Sequence, residues 1–587
     1  MNYNLNKIAD NPQQKNTTTR ALRKLLFFLR NERQRLITSF CIILMTSAIS
    51  LTIPYIIGNT IDHYVQAKDF DGVLYNGGIV LVLALLMLIT NYVQTRLMGG
   101  VGQRVLYDLR NAVFVKLQEL PIAFFNQNKA GDLISRINND TDKLNQFFSQ
   151  SLTQFVGGIV TMVGAGIFLV SIHTEIGLAT LVPGLLLLVF TRAISPWVKK
   201  TNSANMKSTG GMSSEIQESL SNFKVIIAFN RRDYFRKRFE VANAEQYKTA
   251  MGAGVMNNLF MPVFTLCSQL AQLVVLAYGI YLISTGVFTV GLLVSYLSFA
   301  NYFYNPIRQL ASLWANFQVA MAGWDRISQI LNLESDLQVI PAVKTNEDDA
   351  LLTFRNVNFH YPEGKDILHN ISFSLEQGKT YALVGPTGGG KTTTASLIAR
   401  LYDPTEGQVL LQGKDIRSYS PEERTEKIGF ILQEPFLFTG TIRENIVYGN
   451  KKYEDQSSEL LMEVMEKSGL HTLLERFDEG LETKVVTTGD GVSLGQKQLI
   501  AFMRAVLRDP AILVLDEATA NIDTVTEQLL EEILTKLPET TTRVIIAHRL
   551  NTIENADEIF FVNAGEITRA GSFSHAMNML LQYERNS

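Results

Sequence analysis

Cysteine and charge are both scarce in this chain of 587 residues. Its two cysteines, Cys41 and Cys267, lie in apolar stretches, which argues against a disulfide framework and against a cysteine metal centre. Charged residues make up 19% of the chain and the net charge is −3, so no basic surplus predicts nucleic acid as a partner. Residues 1–19 are polar and rich in asparagine and lack the apolar core of a cleavable signal peptide. The N-terminal segment is therefore expected to stay on the protein.

Long apolar segments dominate the first half of the sequence. A helix needs about 20 apolar residues to cross a bilayer. Segments of that length occupy residues 36–62, 77–97, 151–172, 176–197, 253–284 and 288–308. No Asp, Glu, Lys or Arg lies in the central part of any of them. The pattern predicts a membrane α-helical domain with six transmembrane helices and membrane lipid around it.

The distribution of Lys and Arg predicts how these helices are oriented. Lys and Arg crowd the connections after the second and fourth spans. The other three connections, residues 63–76, 173–175 and 285–287, have Lys68 as their single Lys or Arg. Because cytoplasmic loops carry the excess of Lys and Arg, both termini are predicted to be cytoplasmic, in a multi-pass protein of the cytoplasmic membrane. Residues 20–30 alternate cations and apolar residues at helical spacing, which predicts an interfacial helix on the inner leaflet.

A phosphate-binding motif opens the second half of the chain. The run reads Gly385, Pro386, Thr387, Gly388, Gly389, Gly390, Lys391 and Thr392, which fits the pattern GxxxxGK[ST]. Glycines allow backbone N–H groups to converge on phosphate oxygens at the start of a helix, where the dipole is positive. Lys391 is predicted to hold the β- and γ-phosphates of ATP, and the Thr392 hydroxyl to bind Mg²⁺.

Further motifs follow in a fixed order. Residues 512–517 form an apolar strand that ends in Asp516 and Glu517, residues 492–496 read Val-Ser-Leu-Gly-Gln before a helix, and Gln433 and His548 end two other apolar runs. Asp516 is placed to reach Mg²⁺ and Glu517 to polarise the attacking water. In this order, over residues 350–575, the motifs resemble the nucleotide-binding domain of the ATP-binding cassette (ABC) transporters.

The resemblance implies a domain organisation. An N-terminal tail with an elbow helix (1–35) precedes a transmembrane domain (36–332), a linker (333–349) and an α/β P-loop ATPase domain (350–587). Each of the two cytoplasmic connections has about 55 residues rich in helix formers, and about 25 helical residues beyond a span reach about 40 Å from the bilayer. Such long cytoplasmic helices resemble ABC exporters, and the turns at residues 124–132 and 218–229 match the coupling segments of that family.

Roles for several residues are implied by the same resemblance. Tyr361 matches the aromatic residue that stacks on adenine, and Gln433 matches the glutamine that meets Mg²⁺ and the attacking water. His548 matches the switch histidine at the γ-phosphate, and Asp523 matches the loop that crosses to the partner cassette. Thr393 completes the ATP-binding set. The signature segment comprises Ser493, Leu494, Gly495 and Gln496 and is expected to complete the ATP site of a second cassette.

One chain carries one cassette, so the resemblance implies a second ABC half-transporter as partner. The signature has Leu494 where the most symmetric members have glycine, a departure that resembles heterodimeric exporters and favours a heterodimer. A homodimer remains the alternative. Gly389 stands where serine is usual, and Thr392 where serine is commoner; both keep the chemistry. Thr487 stands where the family often has an acidic residue ahead of the signature, which leaves one contact between cassettes in doubt.

ATP-driven export of an amphipathic or hydrophobic substrate by alternating access, of the multidrug type, is the leading hypothesis. A lipid flippase or a peptide or siderophore transporter on the same frame is an alternative, and a membrane-anchored regulatory ATPase without transport is a hypothesis of another class. Polar and aromatic residues of the last two spans could line a substrate cavity, and a small amphipathic ligand would suit them. They are Phe260, Phe264, Gln269, Gln272, Tyr278, Tyr296, Phe299, Asn301 and Tyr304.

Overall fold

The computed structural model describes residues 3–5, 30–341, 350–362, 364–433, 435–486, 492–516, 524–546, 554–571 and 573–586. Within these ranges the chain forms two compact units. The helical unit consists of residues 11–117 and 131–332. The cassette unit combines residues 333–587 with residues 118–130 and with the first ten residues. The predicted elbow helix at residues 20–30 lies almost wholly outside the described part of the chain.

Long helices build the helical unit. The main ones are α1 (Arg33–Thr60), α2 (Phe70–Gln118), α6 (Leu152–Ile172), α7 (Thr174–Ser221), α9 (Arg232–Ser284) and α10 (Val290–Leu331). Shorter ones are α3 (Ile122–Gln127), α4 (Ala130–Ser135), α5 (Thr141–Gln146) and α8 (Phe223–Ala228), with π-helical turns at Ile61–Val65, Arg136–Asp140 and Phe147–Ser151. Several of these helices run well past the apolar segment that they contain, as the sequence predicted for the cytoplasmic connections.

Five helical stretches of the described chain are long and apolar enough to cross a membrane. They are Arg30–Val65, Phe70–Gln118, Ala130–Ile172, Thr174–Ser221 and Arg232–Ser284. The sixth predicted span lies in α10, which is 42 residues long but is not among them. Tyr296, Asn301 and Asn305 lower its mean hydropathy. Because α10 packs against α1, α6 and α9, neighbouring helices surround many of its side chains and fewer apolar residues are needed to face lipid.

An ionic cluster ties α4 and α5 to the end of α10. Arg136 is 3% exposed; its Nε lies 2.9 Å from Asp132, and its Nη1 donates to the carbonyl of Arg326 over 2.8 Å. Arg326 in turn lies 2.5 Å from Asp132 and 3.2 Å from the fully buried Asp140. Burial lowers the pKa of Arg136, and the neighbouring carboxylates oppose that shift. Since each buried charge has an opposite partner, the cluster fixes how these helices meet.

Three sheets build the described part of the cassette unit. The strands are β1 (Leu352–His360), β2 (Asp366–Leu375), β3 (Thr380–Val384), β4 (Glu406–Leu411), β5 (Lys414–Asp415), β6 (Ile428–Ile431), β7 (Gly440–Thr441), β8 (Lys484–Val485), β9 (Ile512–Asp516), β10 (Thr542–Ile546), β11 (Glu558–Asn563) and β12 (Glu566–Arg569). The helices are α11 (Lys391–Ile398), α12 (Pro421–Lys427), α13 (Ile442–Val447), α14 (Ser458–Lys467), α15 (His471–Leu474), α16 (Leu494–Val506), α17 (Thr524–Lys536) and α18 (Phe573–Asn586).

The order of strands positions the motifs. The larger sheet has the order β12-β11-β3-β10-β9-β6, in which the five strands from β11 to β6 are parallel. The antiparallel sheet β2-β1-β4-β5 and the two-stranded antiparallel sheet β7-β8 complete the unit. Strands β3 and β9 are buried along their whole length, which explains their continuous apolar runs. In a parallel sheet all carboxyl ends lie at one edge, and this edge is where ligands bind.

Part of the predicted linker is attached to the cassette. The Arg400 guanidinium is 2% exposed and donates to the carbonyl of Gln338 over 2.7 Å. The backbone N–H of Ile340 donates to the carbonyl of Arg417 over 3.1 Å. Residues 342–349 are outside the described chain. The described half of the linker therefore follows the surface of the cassette unit.

Candidate ATP site

The phosphate loop joins β3 to α11 at the carboxyl edge of the parallel sheet. Its first glycine, Gly385, has φ +149°, and a Cβ there would lie 2.0 Å from the carbonyl oxygen of Val562. Gly390, the N-cap of α11, has φ +114°, and its Cβ would lie 2.6 Å from Leu368. Larger residues would therefore be strained at both positions and would collide with neighbouring atoms. The tight turn leaves the N-terminus of α11 as a place for phosphate.

Lys391 and Thr392 begin α11 and face the end of β9. The Lys391 ammonium is 6% exposed and donates to the carbonyls of Gly385 and Pro386 over 2.8 and 3.0 Å. The Thr392 hydroxyl donates to a carboxylate oxygen of Asp516 over 3.3 Å, and Asp516 is 3% exposed. A buried carboxylate and a hydroxyl supply the oxygen ligands that Mg²⁺ prefers. This donor set fits an ATP·Mg²⁺ complex held by the loop.

The neighbouring strands bring further motif residues to the same edge. Residue Ile431 of β6 pairs with Leu515 of β9, so Gln433 leaves the sheet beside Asp516. Gln433 itself is exposed. Strand β10 lies between β3 and β9 and ends at Ile546, level with Leu383 and Asp516.

Three predicted site residues lie outside the described chain. They are Glu517, Asp523 and His548, which follow the ends of β9 and β10 in sequence. Residues 487–490, just ahead of the signature, are also outside it.

Tyr361, the predicted adenine-stacking residue, lies close to the phosphate loop. Its hydroxyl is 3.1 Å from that of Thr393 in the first turn of α11. Its ring meets the ring of Tyr402 edge-on, with centroids 5.1 Å apart. The hydroxyl of Tyr402 accepts a 2.8 Å hydrogen bond from Asn126, in the first predicted coupling segment. The side chain of Tyr402 thus connects Tyr361 to that segment.

Sequence reasoning missed Tyr402. Nothing but a Tyr-Asp-Pro turn marks it in the sequence, and only the fold places it between the coupling segment and Tyr361. Burial raises the pKa of the Tyr402 phenol, and the hydrogen bond with Asn126 opposes the shift.

The signature segment is built differently. Ser493 is the N-cap of α16: its hydroxyl accepts from the N–H of Gln496 over 3.2 Å, while the Gln496 side chain accepts from the N–H of Ser493 over 3.0 Å. This capping box satisfies two N–H groups at the start of the helix. The side chain of Leu494 is 43% exposed. The segment therefore presents an ordered helix start on the surface of the cassette.

Comparison with known proteins identifies the family. Residues 36–307 match the family described as ABC transporter transmembrane region, and residues 368–520 match the ABC transporter family. The chain is 32% identical over 556 residues to YfiC of Bacillus subtilis, an uncharacterized ABC transporter ATP-binding protein, covering 94% of this chain and 92% of that one. The chain belongs to the ABC transporter family.

Some related ABC transporters are named for what they transport. A fatty acid ABC transporter ATP-binding/permease protein of Mycobacterium tuberculosis is 33% identical, covering 87% of this chain and 80% of its own. A multidrug resistance ABC transporter ATP-binding and permease protein of Lactococcus lactis is 32% identical, covering 84% of each chain. Because one membrane domain and one cassette share the chain, this ABC transporter is a half-size exporter, a multi-pass membrane protein whose ATPase is coupled to transport.

The predicted substrate residues of this ABC transporter divide into two groups. Phe264, Tyr296, Phe299 and Tyr304 are at most 4% exposed and pack between helices. The Tyr296 hydroxyl accepts from the N–H of His173 over 3.1 Å, and the Tyr304 hydroxyl donates to the carbonyl of Thr180 over 2.7 Å. In this conformation these four side chains are buried between helices, where aromatic rings contribute to packing.

The other predicted cavity residues are less buried. Gln269 and Asn301 are exposed, and Phe260, Gln272 and Tyr278 are half-buried. The Gln272 amide donates to Asn301 over 2.8 Å, which joins α9 to α10, and the Tyr278 hydroxyl donates to Glu175 over 2.5 Å. Polar side chains therefore remain accessible on the facing sides of α9 and α10.

Proposed function

We propose that this ABC exporter moves an amphipathic or hydrophobic substrate out of the cytoplasm by alternating access, using ATP and Mg²⁺. The observation that carries the substrate class is the accessible Gln272–Asn301 pair in an apolar helical unit, without a charged residue in the central part of any apolar segment. An uncharged polar pair recognises hydrogen-bonding groups and does not select cargo by charge. The multidrug and fatty acid transporters among its relatives support this class.

We further propose that the exporter works with a second half-transporter, in a heterodimer that Leu494 favours. Residues 124–130 of the first coupling segment belong to the compact unit of their own cassette, whereas α8 of the second belongs to the helical unit. Around α8 the side chains of Leu220, Val225 and Phe229 are 55–75% exposed. A face of that kind indicates an interaction site.

The cassette offers a complementary groove. A cavity of about 230 Å³ beside Gln433 is lined by Phe430, Leu432, Phe436, Tyr448 and Arg504, among others. We propose that the coupling segment of the partner, matching α8, docks in this groove, so that movement at the ATP site reaches the partner's membrane helices.

Transport assays in inverted membrane vesicles test the function. ATP should drive accumulation of an amphipathic fluorescent dye or a labelled fatty acid, and Glu517→Gln vesicles should accumulate neither. Movement of labelled phospholipid alone would identify a lipid flippase, and ATP hydrolysis without any accumulation would favour the regulatory ATPase.

Labelling of single cysteines tests the orientation. An impermeant thiol reagent applied to intact cells should label a cysteine at the exposed Asp69 and should not label one at the exposed Lys129. The reverse pattern would place the cassette outside and exclude export from the cytoplasm.

A further inference from the structure

The first described residues of the chain are buried, which is unusual for a terminus. Tyr3 is 0% exposed and Leu5 is 1% exposed. They belong to the same compact unit as residues 118–130 and residues 333–587. A terminal segment that orders itself in this way must bind specific neighbours, because fixing each residue costs roughly 1–2 kcal/mol.

The first coupling segment provides one side of this site. The N–H of Tyr3 donates to the Gln127 side chain over 2.9 Å, and the N–H of Leu5 donates to Asn128 over 3.1 Å. The Asn128 amide returns a 2.9 Å hydrogen bond to the carbonyl of Tyr3 and also donates to the carbonyl of Phe124 over 2.8 Å. The ring of Tyr3 packs edge-on against the ring of Phe124, with centroids 6.4 Å apart. The first coupling segment thus binds both the backbone of residues 3–5 and the ring of Tyr3.

The start of the linker provides the other side. The Tyr3 hydroxyl donates to the carbonyl of Glu334 over 3.2 Å and accepts from the N–H of Asp336 over 2.9 Å. Burial raises the pKa of the Tyr3 phenol and the Asp336 side chain adds to the shift, whereas the hydrogen bond from the N–H of Asp336 opposes it. One side chain therefore bridges residues 124–128 and residues 334–336, which are distant in sequence.

We propose that Tyr3, Asn4 and Leu5, here called the N-terminal strap, are an internal peptide ligand that ties the first coupling segment to the linker at the entrance of the cassette. The site, called the strap site, consists of Phe124, Gln127, Asn128, Glu334 and Asp336. It takes a peptide with a tyrosine followed two residues later by an apolar residue. When bound, the strap holds the first coupling segment beside the start of the linker, which leads to β1.

The strap acts on coupling, a role that rests on the proposed transport function. Because the peptide is tethered, its effective concentration is on the order of millimolar, and a weak intrinsic affinity is enough to keep it bound. Release of the strap would leave the ATP site intact but loosen the contact between Asn126 and Tyr402, since Asn126 shares a helix with Phe124 and Gln127.

Peptide binding tests the site without reference to transport. The full chain lacking residues 2–5, in nanodiscs, is titrated with a fluorescent peptide of residues 1–10. Binding in the range of about 0.1–1 mM is expected. Tyr3→Phe in the peptide should weaken it about ten-fold, because two hydrogen bonds of the hydroxyl are lost. Asn128→Ala in the chain should weaken it more. Equal binding of the tyrosine peptide and a Tyr3→Ala peptide, or equal binding to truncated and intact chains, would refute the strap.

Rescue of coupling tests the role. The truncated exporter should hydrolyse ATP but should transport at least about two-fold less substrate per ATP, and the peptide added at millimolar concentration should restore the ratio. The Tyr3→Ala peptide should not restore it. If the intact exporter transports but truncation leaves the ratio unchanged, or only lowers Tm without rescue by peptide, the strap has no coupling role. If the intact exporter transports nothing while the peptide binds as expected, the proposed function fails and the strap site stands.

Discussion

The phosphate-loop half and the signature half of the cassette are built in opposite ways. Lys391 and Asp516 are buried at the edge of a parallel sheet and form hydrogen bonds with neighbouring residues of their own chain. Ser493 and Gln496 satisfy each other at a helix start, and Leu494 beside them is 43% exposed. One half is thus preorganised for a ligand. The other presents a capped helix start on the surface of the cassette, where the proposed partner would contact it.

The largest expected effect comes from the end of β9. Glu517→Gln should lower ATP turnover by roughly 10²- to 10⁴-fold because the general base is lost, while ATP still binds through Lys391 and Asp516. Turnover and binding of a fluorescent ATP analogue measure the two effects separately. Glu532→Gln on the exposed side of α17 is the matched control and should change neither. A Glu517→Gln variant with more than half of the normal rate would remove this carboxylate from the mechanism.

A smaller but distinct effect is expected from the loop itself. Lys391→Ala removes a charged hydrogen-bond donor that the structure holds within the loop. Binding of ATP should weaken by about 10- to 100-fold, since hydrogen bonds to charged groups contribute roughly 1.5–3 kcal/mol. Isothermal titration with ATP in the presence of Mg²⁺ measures it. Unchanged affinity together with lost turnover would show that Lys391 acts only on the reaction, which would contradict its assignment to binding.

The two halves also differ in what the sequence reveals. Phosphate chemistry imposes fixed residues at fixed spacing, so Gly385 to Thr392 and Asp516 could be assigned to one site before any fold was known. The fold then brought them together as a parallel sheet requires. Tyr402 and Tyr3 could not be found in this way, because their roles depend on contacts with residues 126–128 that no spacing encodes.

Predictions from the sequence were also limited in the helical unit. Apolar length predicts that a segment is buried in lipid or in protein, but not which of the two. Tyr296 and Tyr304 fit a polar cavity by composition, yet their hydroxyls bond to helix backbones. The helix α10 carries the same ambiguity, since no stretch of it is as apolar as the five helical stretches that are apolar enough to cross a membrane.

Substitution of Ser493 sharpens the comparison between the halves and tests the heterodimer. Ser493→Ala removes a helix cap and should lower the free energy of unfolding by about 1 kcal/mol. Ser420→Ala is a matched control, because Ser420 caps α12 in the same way, with the same 3.2 Å distance. In a heterodimer, Ser493 would serve the partner's site, which hydrolyses ATP poorly. Turnover of Ser493→Ala should then be only modestly lower than turnover of Ser420→Ala. A stable, fully active dimer of this chain alone, with Ser493→Ala nearly inactive, would establish a homodimer.

The smallest expected effect separates the ring of Tyr361 from its hydroxyl. If the ring stacks on adenine, Tyr361→Ala should raise the KM for ATP about ten-fold or more, because stacking of a base on an aromatic side chain contributes roughly 1–3 kcal/mol. Tyr361→Phe keeps the ring and loses only the 3.1 Å contact with Thr393. One neutral hydrogen bond contributes about 1 kcal/mol at most sites, and less where water replaces it, so the KM should rise about two- to three-fold. The ring of Tyr402 also packs on Tyr361, so the alanine variant could act through the coupling segment instead. Tyr402→Ala distinguishes the two explanations, because it removes this packing and leaves the ring of Tyr361: an equal rise in KM would assign Tyr361 to packing and not to the base.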